Sequence, residues 1–452
     1  MQNLSDFKAL KRIYFIGIGG ISLSGLSEIA KSYGIEVCGS DEKPSEITKM
    51  LEKNGIKVYK KHKAKNVKDF DPSLVVYSLA VHEDNVELKY AKENNILCLS
   101  RAEFLGELLE NYKNVISISG THGKTTTTTM ISEIFLKAGK NPTVHIGGES
   151  VNYNTSAIVG DKDYFITEAC EYKRAFLRFN SSLGVILNIE EDHPDCYKNI
   201  SEIYDAFYQF SKICSNVVIN IDYLKNNFNE NDKNLITFGT KNGTFTAKYI
   251  KKLNTGFSFS VFKNGEFYER FKLNVFGRHN ILNALASICV SDYYNIDKQI
   301  LKQALCEFKG VKRRFEKVET NRFLGDVYFD YAHHPTEIKK LLSEVKSLNK
   351  PVICVFQPHT YSRTKKYFNE FLSAFNKTYQ TIFYKTYKAR EKKSEGLSAK
   401  DLYKALKNKH NVYYYNNFNS IINHLKKYSK PNCVVLFVGA GDIYDIKSMI
   451  VD

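Results

Sequence analysis

The chain has 452 residues, 43% of them hydrophobic and 13% aromatic, which is too long for one compact core and too apolar for large-scale disorder. No run of about eighteen apolar residues appears and the start MQNLSDFKALKR lacks the basic-then-apolar plan of a secretory signal, so a cytoplasmic protein without a membrane span is expected. The formal net charge of +16 is spread without a compact basic-aromatic stripe, which argues against nucleic-acid binding, and the nine cysteines never form a C-x-x-C pair, which argues against a disulfide framework or a zinc site.

In chain order, Arg12 to Ile18, Leu74 to Tyr77, Val115 to Ile118, Val185 to Ile189, Val352 to Phe356 and Val434 to Phe437 are apolar, β-branched runs that read as buried strands. Amphipathic stretches alternate with them, so the expected class is α/β, with parallel sheets covered by helices. Between about Leu235 and Val275 the segment FSFSVFKNGEFYERFKLNV predicts two alternating strands around an Asn264-Gly265 turn, a small antiparallel insertion. Three strands run into glycine-rich turns, at Gly17 to Gly20, Gly120 to Gly123 and Gly439 to Gly441. Boundaries near residue 110 and near 317, after the cluster Lys312-Arg313-Arg314-Phe315-Glu316, give three expected domains, 1–110, 111–317 and 318–452.

The first turn, Gly17-Ile18-Gly19-Gly20-Ile21-Ser22, with Ser40-Asp41 ending the next strand, reads alone as a dinucleotide fingerprint in which Asp41 suits a ribose hydroxyl. An NAD-dependent oxidoreductase is the natural rival reading. A turn of this type accepts any diphosphate offered to its helix N-terminus, a UDP-sugar included.

The second turn is more specific. Gly120-Thr121-His122-Gly123-Lys124-Thr125 lies between a buried strand and the helix that contains Thr126. Glycines let the backbone fold around phosphate oxygens, the helix N-terminus aims free N–H groups at them, Lys124 reaches the β- and γ-phosphates and the Thr125 hydroxyl joins a magnesium ion. This pattern predicts an ATP site with Mg2+, although its glycines are two residues closer together than in the general G-x-x-x-x-G-K-[ST] loop.

GTHGKTTT resembles the phosphate loop of the Mur ligases and of their relative folylpolyglutamate synthase, and further segments match Mur ligase signatures in order along nearly the whole chain. Glu168-Ala169-Cys170-Glu171 looks like the family's acidic segment, Asn188 to His193 like its N-I-x-x-D-H segment, and Gly277 to Ala284 like its H-N-x-x-N-A stretch. The resemblance implies Thr125, Glu168 and His193 as metal ligands, and Asn280 and Asn283 near the adenine, with Arg313 also on the nucleotide. Cys170 stands where many relatives carry an acid, leaving Glu171 to compensate.

GIGGISLSGLSEIA resembles the uridine-nucleotide domain of the family's L-alanine-adding branch. That implies substrate contacts from Gly17, Gly19, Gly20, Ile21 and Asp41. Val75 to Val81, followed by Asn85 and Glu87, looks like the branch's V-V-x-S-S-A-I segment; Leu79 replaces a serine, so only Ser78 inherits a substrate role. Phe329 to Glu337 is similar to its D-Y-A-H-H-P-T-E signature, and Gln357 to Thr364 to its Q-P-H-R-Y-T-R-T segment, with Thr360 in place of the first arginine. Arg363 offers the fork that pairs with an amino-acid carboxylate, and Tyr331, His333 and His334 shape the amine pocket. The turn at Gly439 to Gly441 is expected near substrate, with no catalytic step.

What the resemblance implies is three domains, a Rossmann-like N-terminal one, a central P-loop ATPase and a Rossmann-like C-terminal one, in a monomer or dimer. The implied reaction is phosphorylation of UDP-N-acetylmuramate by MgATP to an acyl phosphate and attack by the L-alanine amine, with Lys124, His193 and His333 as catalytic candidates. A recycling ligase attaching a ready-made peptide to the same sugar, the oxidoreductase, and a non-catalytic nucleotide-binding regulator are the rivals.

Overall fold

A computed structural model describes residues 10–78, 81–148, 150–153, 155–193, 196–225, 228, 234–253, 255–320, 324–346, 348–389, 391–408 and 411–451. Leu79 lies outside the described residues. The chain divides into two compact units, Met1–Lys309 and Gly310–Asp452.

The first unit opens with a five-stranded parallel sheet of β1 (Arg12–Ile16), β2 (Glu36–Ser40), β3 (Lys57–Tyr59), β4 (Leu74–Tyr77) and β5 (Leu97–Ser100), in the order β3-β2-β1-β4-β5. The chain leaves β1 toward β2 on one side and returns to β4 on the other, so the carboxyl end of β1 is the switch point where doubly wound sheets bind ligands. Ile13, Phe15, Leu74 and Val76 on one face of the strands pack with Leu26 and Phe104 from the helices Ile21–Ser32 and Arg101–Leu109.

The same unit carries a ten-stranded sheet. In chain order its strands are β6 (Asn114–Ser119), β7 (Pro142–His145), β8 (Ala157–Ile158), β9 (Asp161–Glu168), β10 (Leu183–Ile186), β11 (Asn216–Asn220), β12 (Leu235–Gly239), β13 (Phe245–Leu253), β14 (Gly256–Lys263) and β15 (Glu266–Leu273). Their spatial order is β15-β14-β13-β12-β11-β10-β6-β9-β7-β8, parallel from β13 to β7 and antiparallel between β13 and β14, β14 and β15, and β7 and β8. The expected hairpin is present: Asn264 and Gly265 both take positive φ, 51° and 85°, as a two-residue turn between right-twisted strands requires.

Two strands are shorter than the apolar runs that announce them. β1 stops at Ile16 because Gly17 turns to φ +81°, and β10 ends at Ile186 because, after a last bond from Leu187 N–H to the Ser119 carbonyl, Asn188 and Glu190 turn to bond the loop after β6.

The second unit is a six-stranded sheet of β16 (Glu316–Val318), β17 (Asp326–Asp330), β18 (Val352–Phe356), β19 (Gln380–Tyr384), β20 (Val412–Tyr415) and β21 (Val434–Val438). The order is β16-β17-β21-β18-β19-β20, parallel except for the antiparallel edge strand β16. The unit starts at Gly310 and therefore includes the Lys312 to Glu316 cluster. Among the described residues no helix is long and apolar enough to cross a membrane.

Candidate active site

The loop after β6 is built around two glycines that nothing else replaces. Gly120 and Gly123 have φ of +139° and +87°; a Cβ on Gly120 would lie 3.0 Å from that of Leu187, and one on Gly123 would lie 2.6 Å from Asn283 Oδ1. Residues just after β10 clamp the loop. Thr121 N–H donates to the Asn188 carbonyl at 3.1 Å, His122 N–H to Asn188 Oδ1 at 2.7 Å, and Asn188 Nδ2 back to the His122 carbonyl at 2.9 Å. The Thr121 hydroxyl accepts from Glu190 N–H at 2.9 Å, and His122 Nε2 lies 3.4 Å from the Glu190 carboxylate. In the helix Lys124–Lys137 the Thr127 N–H donates to the Gly123 carbonyl and Gly123 caps without a side chain. The N–H groups of Lys124, Thr125 and Thr126 thus stand ahead of the helix without intrahelical partners, facing the loop mouth.

Lys124 folds back over this loop. Its Nζ donates to the Gly120 and Thr121 carbonyls and to the Glu171 carboxylate at 3.0 Å, and the Glu171 side chain is only 2% exposed. Burial alone would neutralise both. The opposite charge prevails, so the Glu171 pKa is lowered and that of Lys124 raised, and the pair is ionised. His193, at φ +51°, places Nε2 3.5 Å from Glu171 and 3.7 Å from Asp192; its hydrogen bond to Glu171 outweighs burial and raises its pKa. Glu171, Asp192 and His193 each offer one ligand atom, all within 4.8 Å of one another.

Of the sequence-derived metal candidates, His193 therefore sits in the Lys124 cluster. Glu168 ends β9 with its carboxylate accepting from Gly147 N–H at 2.7 Å, and Thr125 is buried in the first turn of the helix. Glu171 and Asp192 were not singled out as ligands from the sequence, although the acid beside Cys170 was a visible signal for the first. Asn280 and Asn283 are buried at the start of the helix His279–Tyr293, where Asn283 Nδ2 donates to Asn280 Oδ1 at 2.9 Å and Asn283 Oδ1 faces Gly123.

The N-terminal turn gathers its residues at the carboxyl ends of β1, β2 and β4. Gly17 N–H donates to the Ser40 carbonyl, Gly19 N–H to Asp41 Oδ2 at 3.0 Å, and Ser78 N–H to the Ile16 carbonyl at 3.3 Å. A Cβ on Gly19 would lie 2.8 Å from Asp41 Oδ2. Asp41 thus braces the turn, Gly20 caps the helix Ile21–Ser32, and Ile21 begins it. Behind Ser40 lies Glu87, 0% exposed, which accepts from Tyr14, Ser40, Asn66 and the Lys63 N–H and pairs with His62 at 2.8 Å. The turn is tied to the ten-stranded sheet by Ser22 Oγ, 2.9 Å from Nε2 of His145 at the end of β7.

In the second unit, Glu337 accepts from the N–H groups of His333 and His334 and so caps the helix Pro335–Lys346. The two rings diverge. His334 packs on Tyr367, whereas His333 lies 5.6 Å from Tyr331 and 5.8 Å from His359, centroid to centroid. His359, missed in the sequence, stacks on Tyr387 and leaves its buried Nδ1 without a partner among the described residues. Burial, then His333 and Arg363, push His359 down to about 4; burial likewise lowers His333. The Arg363 guanidinium has no hydrogen-bond or ion-pair partner among the described residues. Two neutral imidazoles beside an unpaired guanidinium suit a small molecule with a carboxylate and an amine. Arg313 is engaged elsewhere, donating to the Gly439 and Gly441 carbonyls at 3.0 and 2.8 Å.

Known proteins resemble this chain in sequence and in fold. The family described as Mur ligase family, catalytic domain matches residues 12–113, Mur ligase middle domain matches 118–291, and Mur ligase, glutamate ligase domain matches 313–441. A UDP-N-acetylmuramate--L-alanine ligase of Clostridium tetani is 46% identical over 97% of this chain and 98% of its own. The solved structure of the UDP-N-acetylmuramate-alanine ligase from Thermotoga maritima matches with a TM-score of 0.84 at 31% identity, covering 97% of each chain. A murein peptide ligase from Psychrobacter arcticus matches with a TM-score of 0.72 at 22% identity over 97% of each chain, a likeness of fold alone. With a relative this similar over nearly its full length, and the three domains matched in order, the chain belongs to the Mur ligase family.

Proposed function

We propose that the chain is an ATP-dependent ligase that joins L-alanine to the lactyl carboxylate of UDP-N-acetylmuramate, releasing ADP and phosphate, in peptidoglycan precursor synthesis. The observation that carries this reading is one folding unit that holds both a diphosphate-type glycine turn and a phosphate loop with an ionised lysine, linked through Ser22 and His145. The likeness to relatives bearing that ligase name supports the choice of substrates.

In this reaction the carboxylate oxygen attacks the terminal phosphorus of ATP and ADP leaves. The amine nitrogen then attacks the carbonyl carbon of the acyl phosphate and phosphate leaves. The N–H groups of Lys124, Thr125 and Thr126 receive phosphate oxygens at the positive end of their helix. Lys124, once it turns from Glu171 to the transferring phosphoryl group, stabilises the charge developing there. Asn283, beside Gly123, and Asn280, to which it donates, are assigned to the adenosine.

The carboxylates of Glu171 and Asp192 are oxygen donors of the kind Mg2+ takes and the imidazole of His193 lies beside them, so this cluster fits that ion, and we assign the Thr125 hydroxyl and the Glu168 carboxylate to it as further oxygen donors. When bound, Mg2+ neutralises phosphate charge and eases the approach of a second anion. On the amino-acid side, Arg363 takes the carboxylate of L-alanine, while the neutral His333 and His359, with Tyr331, shape the pocket for an uncharged amine. We place the work in a reducing cytoplasm, which suits nine free thiols.

Phosphate release measured with ATP, UDP-N-acetylmuramate and L-alanine tests the proposal. Turnover with all three, absent when either acceptor is omitted, is expected. Turnover only when a peptide replaces L-alanine, or none with any amino acid, overturns it.

A further inference from the structure

Arg101 opens the helix Arg101–Leu109 directly after β5, where a long cationic side chain would ordinarily reach for solvent. Here it turns inward. One Nη1–H donates to Ser22 Oγ at 3.3 Å, and among the described residues the guanidinium has no second hydrogen bond and no carboxylate at ion-pair distance. A guanidinium carries five N–H donors in a fixed fork. Most of that fork is unused on a half-buried side chain, where an unpaired charge carries a cost. Burial lowers the Arg101 pKa, against the pull of Cys170 and Glu168, and His145 across Ser22 is held neutral, pushed down to about 3 by burial and by Arg101 itself.

The position identifies the missing partner. Ser22 is in the first turn of the helix that follows Gly17 to Gly20, so the free donors of Arg101 lie beside an N-terminus already suited to an anion. We propose that Arg101 is the second arm of a diphosphate clamp: the turn's N–H groups hold the uridine nucleotide's diphosphate from one side and the Arg101 fork holds it from the other. This rests on the uridine-nucleotide reading of the N-terminal turn. The anchor on Ser22 favours the diphosphate over the sugar-borne carboxylate, because Ser22 belongs to the glycine turn's own helix. A paired phosphate oxygen edge also matches the planar fork.

The test is calorimetric titration of the full chain and of Arg101→Gln and Arg101→Lys with UDP, UMP, UDP-N-acetylmuramate and a non-hydrolysable ATP analogue. In Arg101→Gln the affinities for UDP and UDP-N-acetylmuramate fall by the same factor, roughly 10- to 100-fold as for loss of a charged hydrogen bond, and UMP loses less. Arg101→Lys recovers part of the loss, and binding of the ATP analogue stays within about twofold. A loss confined to UDP-N-acetylmuramate assigns the arginine to the carboxylate and overturns the proposal. So do unchanged affinities, or a parallel loss of ATP-analogue binding with a lower melting temperature. Failure of the unaltered chain to bind either UDP ligand defeats the underlying nucleotide reading instead.

Discussion

Lys124 and Glu171 face each other at 3.0 Å, and the carboxylate is almost sealed from solvent. Removing one member of a buried ion pair leaves the other charge uncompensated, at a cost on the order of 3 kcal/mol. Lys124→Ala is therefore expected to abolish phosphate release and also to lower the melting temperature, while the double change Lys124→Ala with Glu171→Gln restores stability without restoring turnover. Thermal melts alongside phosphate assays separate the two effects. A Lys124→Ala protein that turns over normally rejects the assignment of the loop.

Gly123 is the tightest point of that loop. Alanine there must hold φ near +87° and place its Cβ 2.6 Å from Asn283 Oδ1. The left-handed backbone alone costs about 1–2 kcal/mol. Gly123→Ala should weaken ATP binding at least tenfold, and adding Asn283→Ala should recover only the part due to the clash. Nucleotide titration of the single and double variants reads this directly.

How much of this was legible beforehand follows from range. Gly120, Gly123, Lys124 and Thr125 announce themselves through local spacing, as does the Asn264-Gly265 hairpin, because each needs only its neighbours. Glu171, Asp192 and His193 converge only when β9 and β10 pair with the two edges of β6 and bring the loops after them together, a long-range event that no local pattern encodes. Arg101 reads in the sequence as an ordinary helix start after Ser100, and its inward turn depends on Ser22, far away along the chain. Arg313 shows the reverse case: the family resemblance implies a nucleotide contact, while within its own unit its Nη2 donates to two backbone carbonyls.

The Glu87 and His62 pair makes the first unit sensitive to pH in a definite sense. Burial would raise Glu87, but hydrogen bonds from His62, Ser40, Asn66 and Tyr14 overcome it and lower its pKa below the ordinary 4.5. Its stabilisation is complete above that value and is lost as pH falls through the lowered pKa. The hydrogen bond to Glu87 raises His62 above its ordinary 6.5, so that contribution is complete below 6.5 and is lost as pH rises through the raised pKa. Glu87→Gln should cost about 2 kcal/mol. The deficit should be largest between pH 4.5 and 6.5, shrinking on either side, in denaturant melts run across pH. A deficit independent of pH would show that the pair is not ionised.

Arg363 is expected to act on the amino acid alone. Its guanidinium lies close enough to His333 and His359 to lower both, yet has no protein partner of its own among the described residues. Arg363→Ala should raise the KM for L-alanine roughly 10- to 100-fold, as loss of a charged hydrogen bond predicts, with the KM values for ATP and the sugar nucleotide nearly unchanged. Steady-state kinetics with each substrate varied in turn distinguishes this from a general loss of fold.

Arg313 is expected to fail differently. Its Nη2 donates to the carbonyls of Gly439 and Gly441, and its guanidinium lies 4.9 and 5.0 Å from the ring centroids of Tyr331 and Tyr444. Arg313→Ala removes the donor from both carbonyls and the cation from both rings, at a cost of about 1–3 kcal/mol for the former and up to about 2 for the latter. The second unit should therefore melt earlier, and Arg313→Lys should recover little, since an ammonium lacks the flat fork that bonds and stacks at once. Melting followed by tyrosine fluorescence, with ATP affinity measured on the same samples, decides between the two roles. Earlier melting with ATP affinity intact assigns Arg313 to bracing the glycine turn, and unchanged melting with weakened ATP binding assigns it to the nucleotide.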